Sequence, residues 1–320
     1  MDTSIFEQIT SALTVKSLCS PLGPDVPAES TFADLETLAA EAGIDPFSGV
    51  ASRVVAYDGS VTGIIWFEDY LQIEAGELPV EEVMQGFEPN ELLSSDTTIL
   101  DAVEIFGSKP NRYFYVIHIN DVVGVIFYSD LFKPLGRLAF LALALEIEDQ
   151  ALRLCQSASI NERCWLSLPD NRKRKANELF KLRYGREPNQ NADAREFVPD
   201  TEFEEFAELA NKFGRPTRRS RDIGLLIGCT PLVDKATMIW KQKLITVATR
   251  ADVLGFFKTL RIIRDRCAHP GGEEALIPKE RLAHFVNSAK SMRSSLRESM
   301  QTHGVGSRKE RIVIRVPPEV

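Results

Sequence analysis

The first 133 residues have almost no positive charge: Lys16, Arg53, Lys109, Arg112 and Lys133 stand against 22 Asp and Glu, a net of −17. A polyphosphate would find little counter-charge there, since phosphate recognition draws on Arg and Lys. Residues 134–320 reverse the balance, with 33 basic side chains against 24 acidic ones, a net of +9. Such asymmetry points to a basic part that meets an anionic partner such as RNA, tethered to an acidic part, although two solvated surfaces would give the same count. Cysteine is sparse, and Cys19, Cys155, Cys164, Cys229 and Cys267 form no C-x-x-C pair. That argues against a disulfide framework and a zinc cluster, and a reducing cytoplasm is expected. No histidine pair at metal-ligand spacing, P-loop, dinucleotide fingerprint or G-x-S-x-G is present, so neither a metal nor a required cofactor is expected. The longest apolar run, LAFLALAL at 138–145, is far shorter than the roughly 20 residues that span a bilayer. MDTSIFEQITSAL lacks the basic-then-apolar order of a secretion signal, so no membrane association is expected.

What is present divides in two. STFADLETLAAEAG (30–43) reads as a capped helix, and RVVAYDGSVTGIIWFEDYL (53–71) as strand, Asp-Gly turn, strand and helix start. The grammar then returns: a Thr-capped helix over 98–108, a strand YFYVIHI, a turn and a strand VVGVIFY. A repeat of β-β-α type with a period of about 60 residues follows, and one copy alone would leave an apolar sheet face uncovered. From Pro134 onward amphipathic helices take over, predicted at 134–156, 171–185, 201–214, 222–229, 252–267 and 278–300. The expected fold class is α+β, with a β-α repeat over 1–133, a helical bundle over 134–305 and a tail over 306–320.

The paired stretches GIIWFED (63–69) and GVIFYSD (124–130) resemble the cystathionine β-synthase (CBS) domain pattern, a Gly-bearing strand ending in a hydroxyl residue followed by an aspartate. The resemblance covers roughly residues 15–135. It implies a tandem pair that binds an adenine nucleotide or nucleoside as a regulatory ligand, with Asp69 and Asp130 on the ribose hydroxyls and Thr97 or Thr98 as a further polar contact. The chain departs from the pattern at Trp66 and Phe127, where the family places the phosphate-contacting hydroxyl. Each aspartate also precedes a hydrophobic helix start, so it reads equally as a helix N-cap.

LRIIRDRCAH (260–269) resembles the signature of the HEPN (higher eukaryotes and prokaryotes nucleotide-binding) superfamily: an Arg, a polar residue, then a His near the end of a core helix. The matching positions are Arg264, Asp265 and His269. The spacing is unspecific, since Arg112 to His118 and Arg297 to His303 also satisfy it. What distinguishes the third case is the apolar spacing of Leu254, Phe257, Leu260 and Ile263 before it and the aspartate after Arg264. On an ideal helix Arg264 and His269 lie some 140° apart, but Pro270 biases His269 out of the α region and lets it swing back.

The resemblance implies a metal-independent endoribonuclease that acts as a homodimer, with the histidine moving protons and the arginine holding the phosphate. Basic tracts that could follow an RNA backbone contain Arg172, Lys173, Arg174 and Lys175, then Arg218, Arg219 and Arg221. The alternatives are a non-catalytic, nucleotide- or nucleoside-sensing dimeric regulator and an RNA-binding protein without cleavage. In either, Asp265 would pair with Arg261 at i, i−4. Glu146 and Glu148 are expected at the surface and His284 in helix packing.

Overall fold

The computed structural model describes residues 5–45, 49–68, 78–189, 218–245, 249–268 and 277–305. The chain forms two compact units: a sheet unit of residues 9–140 with 271–286, and a helical unit of residues 1–8, 141–270 and 287–320.

In the sheet unit the repeat becomes two small mixed sheets. Strand β1 (Val26–Pro27) runs parallel to β2 (Ala51–Val55), which pairs antiparallel with β3 (Val61–Trp66). In the second copy β4 (Leu92–Ser94) runs parallel to β5 (Tyr113–His118), which pairs antiparallel with β6 (Asp121–Phe127). A helix follows the first strand of each copy, α2 (Phe32–Glu41) and α4 (Ile99–Ser108) in a count where α1 is Ile5–Ala12 and α3 is Val80–Val83. Both open on the same device. Thr31 donates its hydroxyl and backbone N–H to Asp34, and the Thr98 hydroxyl accepts the Asp101 N–H while donating to the Asp101 carboxylate, so orphan groups of the first turn are met locally.

The two copies complete one another. Val15 and Lys16 donate to the carbonyls of Thr97 and Ser95 in the second copy, and Ser20 exchanges both backbone bonds with Val125. Reciprocally, Val80 and Glu81 donate to the carbonyls of Ser30 and Ala28 in the first copy, and Gln85 exchanges both bonds with Ile64. The glycine of each repeated stretch sits at this crossing. A Cβ on Gly63 would lie 2.7 Å from the Gln85 carbonyl oxygen, and one on Gly124 would lie 2.6 Å from that of Ser20, so no larger residue fits without displacing backbone.

Between the sheets lies a core of Ala51, Ile64, Trp66, Tyr115, Val122 and Val125. Alternation along the strands sends Val54 and Ile65 to the other face, where Leu35 and Ala39 of α2 cover them.

The helical unit is built from the remaining helices, except that residues 134–140 of α5 and 279–286 of α11 count with the sheet unit. Helix α5 (Pro134–Gln156) has Leu143, Ala144, Ile147, Ala151 and Leu154 fully buried, the character of a central helix. The others are α6 (Asn161–Leu166), α7 (Asp170–Tyr184), α8 (Arg218–Gly228), α9 (Leu232–Lys241), α10 (Arg250–Ala268) and α11 (Lys279–Thr302). Helix α10 buries Val253, Phe256, Phe257, Leu260 and Ile263; Phe257, Leu260 and Ile263 lie on the face its spacing predicts, while Leu254 is only half-buried. Helices α6 and α9 carry no strong signal in the sequence and were not expected. The helix expected at 201–214 and the tail lie outside the described residues, among which no helix is long and apolar enough to cross a membrane. The α+β architecture, with its β-α repeat first and its helices last, is as expected from the sequence.

Candidate functional site

Arg264 lies in the last turns of α10, on the polar flank beside buried Ile263. Its Nη1 donates to Glu148 Oε1 on α5 at 2.7 Å, and its Nε and Nη2 donate to Asp265 Oδ1 at 3.0 and 2.7 Å. Arg261 Nε lies 3.5 Å from the other Asp265 oxygen, the i, i+4 pairing a helix favours. Arg264 remains 29% exposed. Hydrogen bonding from Arg264 holds the Asp265 carboxyl below its ordinary value. Burial pushes Glu148 up, and Arg264 only partly offsets it. Helix α10 is described to Ala268. His269 lies outside the described residues, so what the structure gives for Asp265 is its pairing with Arg264 and Arg261.

Two residues from Glu148, Glu146 has a different fate. A separation of about 200° on the helix turns it to the opposite side, where it meets α11: Arg297 Nη2 at 2.6 Å and Arg293 Nη1 at 3.4 Å, with Gln150 Nε2 at 3.1 Å. Arg297 also bonds Glu7 at 2.8 Å. Glu146 is 2% exposed, which corrects its expected surface placement. The α5 positions on either side of it are apolar, so the polar side chain is drawn inward and needs partners. Glu148 too is half-buried rather than at the surface, and His284 is exposed rather than packed. Arg297, the decoy arginine upstream of His303, is consumed by this network.

Most of the candidate RNA-binding cations face carboxylates of their own unit. Arg172 lies 3.6 Å from Asp234, Lys173 3.6 Å from Asp170, Arg174 4.0 Å from Glu178 and Arg219 3.3 Å from Glu162. Lys175 and Arg221 are exposed, and Arg218 begins α8 with its side chain outside the described residues. Nearby Arg186 has a structural role: it grips buried Asp222 with two bonds of 2.7 and 2.6 Å and lies over the Phe180 ring.

In the sheet unit the candidate nucleotide contacts turn inward. Asp130 is 8% exposed, accepts the Phe127 N–H at 2.8 Å and pairs with Lys133 at 3.0 Å, so it caps a 3₁₀ turn over Tyr128–Phe132. Thr98 caps α4. Thr97, half-buried, accepts from Val15 through its carbonyl. Asp69 lies outside the described residues. The two ring residues that stand where hydroxyls were sought meet each other: Trp66 and Phe127 lie 5.9 Å apart at 64°, with Tyr113 5.1 Å from Trp66. The sequence shows the missing hydroxyls but not that the rings seal the seam between sheets. Arg53, one of the five cations here, is taken by Asp25 and Asp121 at 2.7 and 2.6 Å.

No family model and no curated protein matches the chain. Among solved structures, the chain is similar to a CBS domain protein of unknown function from Thermoplasma acidophilum, at 16% identity over 41% of this chain and 75% of that one, with a TM-score of 0.29. It is also similar to the CBS domains of a transcriptional regulator from Streptococcus pneumoniae (18% identity, 38% and 98% covered, TM-score 0.29). A third such structure is CBSX2 in complex with AMP (15% identity, 38% and 94% covered, TM-score 0.29). At these identities and scores the likeness says nothing of ligand or activity.

Proposed function

We propose that this chain is a metal-independent endoribonuclease of the HEPN type, in which residues 134–305 cut RNA and a CBS-like pair over 1–133 serves as a regulatory and dimerisation module. The observation that supports the nuclease reading is the state of Arg264. A guanidinium has five N–H donors, and among the described residues Glu148 and Asp265 engage three. The arginine is therefore held in one orientation while two donors stay available to a phosphate, the preorganisation that stabilises charge developing on phosphorus.

In the reaction, a His269 imidazole removes the 2′-hydroxyl proton, the 2′-oxygen attacks phosphorus, and the bond to the 5′-oxygen breaks. A second His269, from a two-fold partner, protonates the leaving oxygen. The products are a 2′,3′-cyclic phosphate and a 5′-hydroxyl. Arg172, Lys173, Arg174, Lys175, Arg218, Arg219 and Arg221 supply charge for the RNA backbone, Arg172, Lys173, Arg174 and Arg219 once their carboxylates release them. The ligand of the CBS-like pair is an adenine nucleoside rather than a polyphosphate, given the ring pair at 66 and 127 and the −17 balance.

Arg264→Ala and His269→Ala, made separately in the full chain, are each expected to lower cleavage of a single-stranded RNA in EDTA by about a hundredfold or more. Unchanged cleavage in both variants would exclude the site. A second reading, a ligand sensor without catalysis, is favoured by the pairing of Asp265 with Arg261 and Arg264, which occupies the carboxylate that would orient the histidine. Wild-type protein that leaves RNA intact yet binds adenosine in a calorimeter would establish that second reading.

A further inference from the structure

RNA cleavage of the kind set out above needs one group to remove the 2′-hydroxyl proton and another to protonate the leaving oxygen. The carboxylates on α5 and α10 near Arg264 differ in their capacity for the first task. Glu146 has none left: it is 2% exposed and engaged by Arg293, Arg297 and Gln150. Asp265 is occupied as well, with Arg264 on one oxygen and Arg261 beside the other. Hydrogen bonding from Arg264 holds its carboxyl below the ordinary value, which makes it a weak proton acceptor.

Glu148 differs from both. Its Oε1 accepts from Arg264 Nη1 at 2.7 Å. Among the described residues no donor reaches Oε2, that oxygen is not one of the bare buried atoms, and 21% of the side chain is exposed. A carboxylate with one oxygen anchored and the other open is oriented and can still take a proton. The charged groups that face it are Arg264 and Asp265 on α10 and Lys235 on α9. Burial pushes its carboxyl up by more than Arg264 and Lys235 offset, towards the range in which a carboxylate works as a base near neutral pH.

The same guanidinium links this carboxylate to a substrate. Among the described residues, the bonds to Glu148 and Asp265 leave one N–H open on each Nη of Arg264. A phosphate that takes the open Nη1 hydrogen shares that nitrogen with Glu148, which brings the neighbouring 2′-hydroxyl to the side where Oε2 is open.

We propose that Glu148 is the general base of this cut, paired with Arg264 as the holder of the phosphate. Resting on the nuclease reading, this assignment moves the 2′-hydroxyl proton from an imidazole to Glu148. The carboxylate takes that proton as the 2′-oxygen bonds to phosphorus, the bond to the 5′-oxygen breaks, and the 5′-oxygen takes its proton from the imidazole of the same chain. Glu148 then returns its proton to water and the imidazole recovers one, so no other reactant is consumed. One chain thus carries base, phosphate holder and acid, and a partner copy is not needed for the chemistry.

The test is kinetic, with the full chain in EDTA, on a single-stranded oligoribonucleotide and on the same substrate with sulfur in place of the leaving 5′-oxygen. Glu148→Gln keeps an acceptor for Arg264 but cannot take a proton, and is expected to lower kcat about a hundredfold or more with KM nearly unchanged. Glu148→Asp keeps a carboxylate and is expected to retain more activity than the amide. Wild-type kcat/KM is expected to fall as pH drops through the raised carboxyl value of Glu148, and that acidic limb to vanish in Glu148→Gln. Sulfur departs without a proton, so it is expected to rescue His269→Ala and not Glu148→Gln. Wild-type protein that leaves RNA intact overturns the nuclease reading and this assignment with it. Where the wild type cuts, a Glu148→Gln variant that cuts equally well, or that sulfur rescues, overturns the assignment alone. If Glu148→Gln does not fold, Glu148→Asp decides: a wild-type rate with an unmoved acidic limb overturns the assignment.

Discussion

Asp130 in the sheet unit and Arg264 in the helical unit were both read from the sequence as ligand contacts, and the chain uses them in opposite ways. Asp130 turns its carboxylate onto the Phe127 N–H of its own turn and is almost wholly buried. Arg264 reaches outward from its helix to carboxylates, one of them on another helix, and stays partly exposed. The number of donor or acceptor sites left after internal bonds are counted decides whether a polar group can also serve a ligand. A carboxylate that caps buried backbone has little left, whereas a five-donor guanidinium can be anchored and still present two N–H groups.

The contrast can be tested by removing one partner at a time. The largest effect is expected at Glu146, the buried carboxylate shared by Arg293 and Arg297, whose loss leaves Arg297 with Glu7 alone. Glu146→Ala should cost about 3 kcal/mol or more, read from denaturant unfolding of the full chain. Next is Gly124→Ala, which drives a methyl into the Ser20 carbonyl at 2.6 Å; about 2 kcal/mol is expected, with a similar loss for Gly63→Ala. A pair of silent glycine variants would mean that the crossing of the two copies is loose. Asp130→Ala, which uncaps one turn, should cost about 1 kcal/mol. If it instead abolished adenosine binding at unchanged stability, the comparison would reverse.

The smallest effect is a difference of sign with pH. Glu148 is raised in the folded state, chiefly by burial, so its contribution is present below its ordinary carboxyl range and lost as pH rises through its raised value. Asp265 is lowered, chiefly by hydrogen bonding from Arg264, so its contribution is present above its ordinary range and lost as pH falls through its lowered value. Glu148→Gln should therefore remove a decline in stability towards higher pH, and Asp265→Asn a decline towards acid. Each is measurable as a change in slope of melting temperature against pH, weakened by salt because Asp265 is exposed.

The local elements were largely legible in the sequence. Alternation and the Asp-Gly turn place β2 and β3, the Thr-x-x-Asp caps place α2 and α4, and apolar spacing places α10. Helix α9 was missed because its buried residues include Asp234 and Lys235 beside Leu232, Ala236, Met238 and Ile239, which breaks the apolar spacing, and α6 because one and a half turns give periodicity too little to work on. Partnership was less legible still. Glu146 and Glu148 differ by two positions in a stretch of α5 where acidic, amide and basic side chains fall on every side, so the sequence cannot say which faces α10 and which α11. Nor does it reveal that buried Asp234 pairs with Arg172, because the two are 62 positions apart and meet only through folding.

The reciprocal crossing in the sheet unit also has a consequence for synthesis. The hairpin of β2 and β3 is closed by Gln85, and that of β5 and β6 by Ser20. A ribosome that has just released β3 has therefore made a hairpin whose edge at Ile64 still has no partner. At about 5–20 residues per second, that edge waits on the order of seconds for residues 80–85 to emerge, while residues 15–20 wait longer for β6. The first copy is born unfinished, and the expectation is that the two mature together rather than one after the other.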